Sequence, residues 1–153
     1  MKKKLFGVLL TVCMLASVVA GCGKDSQTAT YTMTQETNGL TLTDTMKLDA
    51  EGDVIQKITE TVTIDMTECD ETAQEAMIAA YDELAVTYSE VEGVECTGSA
   101  KDGIYTLNIK IDATGDAIEN LSAQGLMTIQ GGSGALSFEE TCDALVNSGY
   151  EVK

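Results

Sequence analysis

Between residues 30 and 65, apolar side chains recur at every second position and two glycine-containing turns interrupt them. Few folds accommodate that pattern. Tyr31, Met33 and Gln35 share one face of the first run, with threonines on the other. Asn38-Gly39 follows, the dipeptide best suited to a two-residue hairpin turn because both residues tolerate positive φ. Leu40, Leu42, Met46 and Leu48 continue the alternation, Glu51-Gly52-Asp53 turns again, and Ile58, Val62 and Ile64 line a third strand over 54–65. A period of two with a polar opposite face predicts a three-stranded antiparallel meander that wets one side.

The rest of the chain supplies covering elements. Thr72-Ala73-Gln74-Glu75 has the form of a capping box, and Ala73, Met77, Ala80, Tyr81, Leu84 and Tyr88 follow at helical spacing, predicting a helix over 72–89. Val94 and Cys96 begin a short strand, Lys101-Asp102-Gly103 turns, and Tyr105, Leu107, Ile109 and Ile111 alternate through another. Residues 113–126 fit a turn of helix at most, and 126–129 a last short strand. After "GGSG" at 131–134, Ser137-Phe138-Glu139-Glu140 forms a second capping box. It opens a helix over 137–148 with Phe138, Cys142, Leu145 and Val146 on one side. This order predicts an α+β domain: an antiparallel sheet of about five to six strands with two helices packed on one face.

The beginning of the chain reads differently. Lys2, Lys3 and Lys4 precede an uncharged apolar run over 5–20, too short to span a bilayer comfortably and suited to the core of a secretion signal. Val19-Ala20-Gly21-Cys22 closes it with the pattern of a bacterial lipoprotein signal, a lipobox. Small side chains there let the chain thread two processing enzymes in extended form. The Cys22 thiol takes a diacylglyceryl group, and cleavage before it leaves an acylated N-terminus. Several acyl chains, at about 0.8 kcal/mol per buried methylene, anchor far more firmly than one. The expected organisation is a signal peptide over 1–21, a lipidated tether over 22–29 and a single domain over 30–153. The location is the extracytoplasmic face of the cell membrane. Cys13 would leave with the signal.

Charge narrows the partners. Removing 1–21 takes three of nine lysines and none of 25 acids, so the processed chain carries six Lys against 25 Asp and Glu, formally −19. Phosphate recognition needs a basic footprint, so nucleic acid is excluded, and the lipid must supply the membrane contact. An envelope protein, a peptide or a cationic ligand remain as partners. With no His, a Ser-His-Asp or Cys-His pair is impossible. No catalytic residue, cofactor or metal ligand is singled out, and the chain is not expected to be an enzyme. Acids in "DAEGD" (49–53) and "DATGD" (112–116) cluster around glycines without the spacing of a calcium-binding EF-hand loop. Cys69, Cys96 and Cys142 allow one bridge at most. Cys96 and Cys142 both read as core-facing and are the pair that would form it; the other reading is three small buried hydrophobes.

The order of these features looks like the YehR-like family of small bacterial lipoproteins, a domain of unknown function. A lipobox and polar tether precede a Tyr-led strand and an Asn-Gly turn. "GDVIQKITETVTI" (52–64) follows, then a helix ending in Tyr88 shortly before Gly93-Val94. A Lys-Asp turn then leads into "YTLNIKID" (105–112), and the chain closes in "SGYEVK" (148–153). The resemblance implies a sheet with packed helices and brings no catalytic residues with it. The expected role is a lipid-anchored binding or interaction module. The alternative is a small carboxylate- or calcium-dependent envelope enzyme.

Overall fold

The computed structural model describes residues 13–15, 25–130 and 135–153. Among the described residues eight strands and three helices run in the order β1 (Cys13–Leu15), β2 (Ser26–Thr37), β3 (Leu40–Glu51), β4 (Val54–Asp65), α1 (Glu71–Ser89), β5 (Val94–Lys101), β6 (Ile104–Asp112), α2 (Ala117–Ala123), β7 (Thr128–Gln130), α3 (Phe138–Asn147) and β8 (Glu151–Val152). Six strands form one antiparallel sheet ordered β5-β6-β4-β3-β2-β8, and β1 pairs with β7 in a separate parallel pair.

The meander forms as its turns dictate. Asn38 (φ 51°) and Gly39 (φ 80°) both take left-handed backbone between the paired Thr37 and Leu40, the geometry that matches strand twist. Asp102 (φ 53°) and Gly103 (φ 79°) repeat the device between Lys101 and Ile104. Strand β2 begins at Ser26, four residues before the apolar alternation does. Ser26 to Ala29 pair with the end of β3, and the Gly52 amide donates to the Asp25 carbonyl at 2.8 Å.

Alternation then builds the core. Tyr31, Met46, Leu48, Ile58, Val62, Ile64, Tyr105, Leu107, Ile109 and Ile111 all point to one face. They are covered by Ala85 and Tyr88 of α1, Ala117, Ile118 and Leu121 of α2, and Leu145 of α3. Each buried aliphatic or aromatic side chain contributes about 1.5–3 kcal/mol.

Three details depart from the sequence reading. The helices number three, because α2 is a seven-residue helix with Ala117, Ile118 and Leu121 buried, too short for its periodicity to stand out. Helix α1 starts one residue early, at Glu71, and Asp70, not Thr72, is its cap, its carboxylate accepting from the Ala73 amide at 2.9 Å. The last short strand, expected over 126–129, forms at 128–130 and pairs with β1 outside the main sheet, whose sixth strand is β8. Of the second capping box the Ser137 half forms, its Oγ accepting from the Glu140 amide at 3.2 Å.

Candidate functional site

The solvent face of the sheet is built by the threonines that alternate with the core residues. Register aligns them into rungs across five strands. One rung runs Thr32, Thr45, Thr61, Asn108, Thr97, and the next runs Thr34, Thr43, Thr63, Thr106, Ser99. At about 4.8 Å between strands, each rung spans roughly 19 Å. Thr32 and Thr45 Oγ1 lie 3.3 Å apart, Thr34 and Thr43 Oγ1 also 3.3 Å, and Thr61 Oγ1 donates to Asn108 Oδ1 at 3.1 Å. Hydroxyls tied to one another across strands lose rotamer freedom, so the surface is ordered before anything docks on it. Neither rung contains a charge.

Charges flank these rungs. Toward the turn joining β3 to β4, Lys47 pairs with Asp49 at 3.0 Å and Lys110 with Glu95 at 3.5 Å. Here Gln56, Lys57, Gly93, Val94, Glu95, Lys110, Ile111 and Asp112 line an open cleft of about 720 Å³. At the opposite end Glu36, Asp65 and Glu68 line a smaller, acidic depression of about 370 Å³.

The inner face holds a second polar feature. Asp44 and Glu60 are 1 % and 6 % exposed, and Tyr150 Oη donates to Asp44 Oδ2 at 2.5 Å. Burial raises the pKa of both carboxyls, and the Asp44 charge beside it lifts Glu60 further. Burial, with Asp44 alongside, also raises Tyr150. The sequence carried a signal for this pair: both residues occupy core parity in their strands, between Leu42 and Met46 and between Ile58 and Val62. An acid where alternation demands an apolar residue marks a buried polar group.

The residues singled out in the sequence fall as follows. Cys22 and the 131–134 glycine segment lie outside the described residues, as do residues 1–12 and 16–21 of the expected signal. Cys69, Cys96 and Cys142 are free thiols. Sheet order keeps the expected partners apart: Cys96 sits on β5 at one edge, while Cys142 on α3 lies beside Tyr31 of β2, about four strand spacings or roughly 19 Å across the sheet. Burial pushes Cys96 up to about 11, so it remains a thiol at neutral pH.

The two acidic turns are engaged internally. Asp53 Oδ2 accepts from Ser137 Oγ and Oδ1 from the Glu139 amide, both at 2.8 Å, which caps α3. Asp112 Oδ1 accepts from the Thr114 hydroxyl at 2.6 Å and its amide at 3.0 Å, and these bonds lower its pKa. Among the described residues no group of three or more His, Cys, Asp or Glu could hold a metal ion, and no helix is long and apolar enough to cross a membrane.

No protein-family model and no curated protein matches this chain. Two solved structures are similar to it. The solution structure of the E. coli YehR protein superposes with a TM-score of 0.59 at 18 % identity, covering 83 % of this chain and 91 % of that one. A protein from Streptococcus pneumoniae TIGR4, also solved by NMR, gives 0.50 at 12 % identity over 90 % of this chain and 92 % of its own. At such identities the likeness concerns the fold: six antiparallel strands in one sheet, with helices over one face, are arranged here as a YehR-like fold.

Proposed function

We propose that this protein is a lipid-anchored, non-catalytic binding module at the extracytoplasmic face of the cell membrane. Acyl chains on Cys22 hold it there, and the outer face of its sheet meets an envelope protein or peptide. The lipobox at 19–22 and the basic, apolar leader before it support the anchor. Because β2 starts at Ser26, only Gly23, Lys24 and Asp25 separate it from Cys22. At about 3.3 Å per residue that is roughly 10 Å of chain. The turn at Gly52, bonded to Asp25, would then lie next to the bilayer, with the long strands rising away from it.

The observation that carries the binding role is the pair of uncharged rungs. A chain with a formal charge of −19 after processing repels most acidic partners, yet these ten residues offer a neutral donor and acceptor surface, six of them tied in cross-strand pairs. The carboxylate- or calcium-dependent enzyme finds less support. Asp44 and Glu60 are enclosed by the core, Asp53 caps a helix, and Asp112 is bound to Thr114.

A pull-down from solubilised membranes tests this reading, using the native chain against a Thr45→Lys/Thr61→Lys variant. Both positions face solvent, so the variant is expected to keep its circular dichroism spectrum and lose capture of a specific envelope protein. Undiminished capture by the folded variant overturns the assignment of the outer face. Calcium-dependent turnover of a generic substrate panel overturns the non-catalytic role.

A further inference from the structure

Two carboxyls lie on the inner face of a sheet that is otherwise apolar there. Asp44 pairs with Val62 and Glu60 with Met46 across β3 and β4, which makes the two acids diagonal neighbours on one face. Asp44 Oδ1 and Glu60 Oε1 receive no N–H or O–H from any other described residue, and the two carboxyls are close enough for a proton on Glu60 to bond Asp44. The titratable groups closest to them from the packed elements are Tyr88 of α1, Cys96 of β5 and Tyr150, with Tyr31 of β2 and Cys142 of α3 beside each other nearby. None of these brings positive charge. The acids of α2 and α3, namely Glu119, Glu139, Glu140 and Asp143, are exposed, as are Asp82 and Glu83 of α1. Lys47, Lys57, Lys101 and Lys110 have the strand parity of the opposite face.

Tyr150 is buried with its ring in the core, and few backbone bonds hold the segment that carries it. Its amide donates to the Leu145 carbonyl at 3.0 Å, β8 pairs only at Tyr31 and Thr32, and the Lys153 amide reaches the Thr30 carbonyl at 2.9 Å.

We propose that Asp44, Glu60 and Tyr150 form a proton-operated latch. With one proton held by the two carboxyls, Tyr150 docks and β8 covers part of the edge of β2. Because the Tyr150 hydroxyl donates to Asp44 and so favours its carboxylate, the proton sits on Glu60. When it leaves, repulsion between the two charges frees Tyr150 and β8 and uncovers that edge. Two adjacent carboxylates cannot both stay ionised in an apolar core without a cation, so water must be admitted. The cheapest segment to displace is the one at the chain end with the fewest bonds.

Hydrogen exchange on the purified full chain between about pH 5 and about pH 9 tests the latch, read as protection factors that divide out the intrinsic pH dependence. As pH rises, amides of 150–153 and their β2 partners are expected to lose protection, by up to about tenfold per pH unit for one proton. Those of β4 and β6 should stay protected. Glu60→Gln removes one titrating group while keeping the shape, and should make terminal protection independent of pH. Tyr150→Phe should loosen the terminus even at the acidic end.

Terminal amides that hold their protection throughout, or lose it only together with β4 and β6, overturn the proposal. So does a folded Glu60→Gln variant with the native pH profile. If that variant does not fold, carbon-13 titration of the native Asp44 and Glu60 carboxyls decides: values in the ordinary carboxylate range for both refute the latch, and a raised value matched to terminal release supports it.

Discussion

Tyr105 Oη reaches Asp82 Oδ1 at 2.8 Å by passing over Gly98, and it does so because Gly98 has no side chain. A Cβ at that position would overlap Tyr105 Oη and lie 2.8 Å from Cζ. The bond ties β6 to α1 through β5, and the Tyr81 ring rests on Tyr105 with centroids 5.4 Å apart. One missing methyl at the sheet edge therefore lets the helix seat. Gly98→Ala should destabilise the protein by about 1–3 kcal/mol, the usual cost of overpacking. The cost should shrink in a Tyr105→Phe background, where the crowded hydroxyl is gone. Equal costs in both backgrounds, measured by denaturant unfolding, would show that the clash is not with Tyr105 Oη.

Global stability should fall as pH rises. Asp44 and Glu60 both have folded pKa values above their unfolded ones, through burial first. The stability tied to them is complete below the ordinary carboxylate range and is lost as pH climbs from there through the raised values. The slope is about 1.4 kcal/mol per pH unit while one proton separates folded from unfolded chain. Urea unfolding across this window should show the decline, and Glu60→Gln should flatten it. Stability rising with pH would contradict the burial of the pair.

Asp53 fastens the β3–β4 turn to the start of α3, where its partner Ser137 lies 84 residues further along the chain. Asp53→Ala removes two acceptor bonds at a helix N-terminus and should cost about 1–2 kcal/mol. Asp53→Asn should cost less, since its side-chain carbonyl can keep one of them. With Asp53 and Asp112 both committed to internal donors, added calcium should leave the melting temperature unchanged. A calcium-dependent rise that Asp53→Asn abolishes would make this turn a calcium site.

Cys22→Ser tests the anchor. Without a thiol to acylate, the protein should stay unprocessed or appear in the medium, and mass spectrometry of the native N-terminus should show a diacylated cysteine. A bare cysteine on a membrane-retained native chain would refute lipidation.

Processing should also change the small parallel pair. Strand β1 lies within the expected leader, and it is the only strand paired with β7 among the described residues. In the processed protein, amides at 128–130 should exchange faster than in an uncleaved Cys22→Ser chain. Equal exchange would show that these amides are protected by something other than β1.

Strand and helix identities were legible along the chain because they rest on local periodicity. Alternation over 30–65, Asn38-Gly39, and the Ser137 cap each act within a few residues, and the structure realises them nearly in register. Helix α2 escaped because seven residues hold too little periodicity to read. The acid at core parity in β4 was present in the pattern, yet what makes Glu60 tolerable there comes from Asp44 on β3 and a tyrosine at the far end of the chain.

The threonine rungs, the separation of Cys96 from Cys142, and the room Gly98 leaves for Tyr105 likewise depend on which strands become neighbours. Local patterning selects the elements and the face each one buries. Strand order and register, settled by long-range packing, decide which side chains meet; in this protein the polar surface and the buried carboxyl pair both arise at that second level.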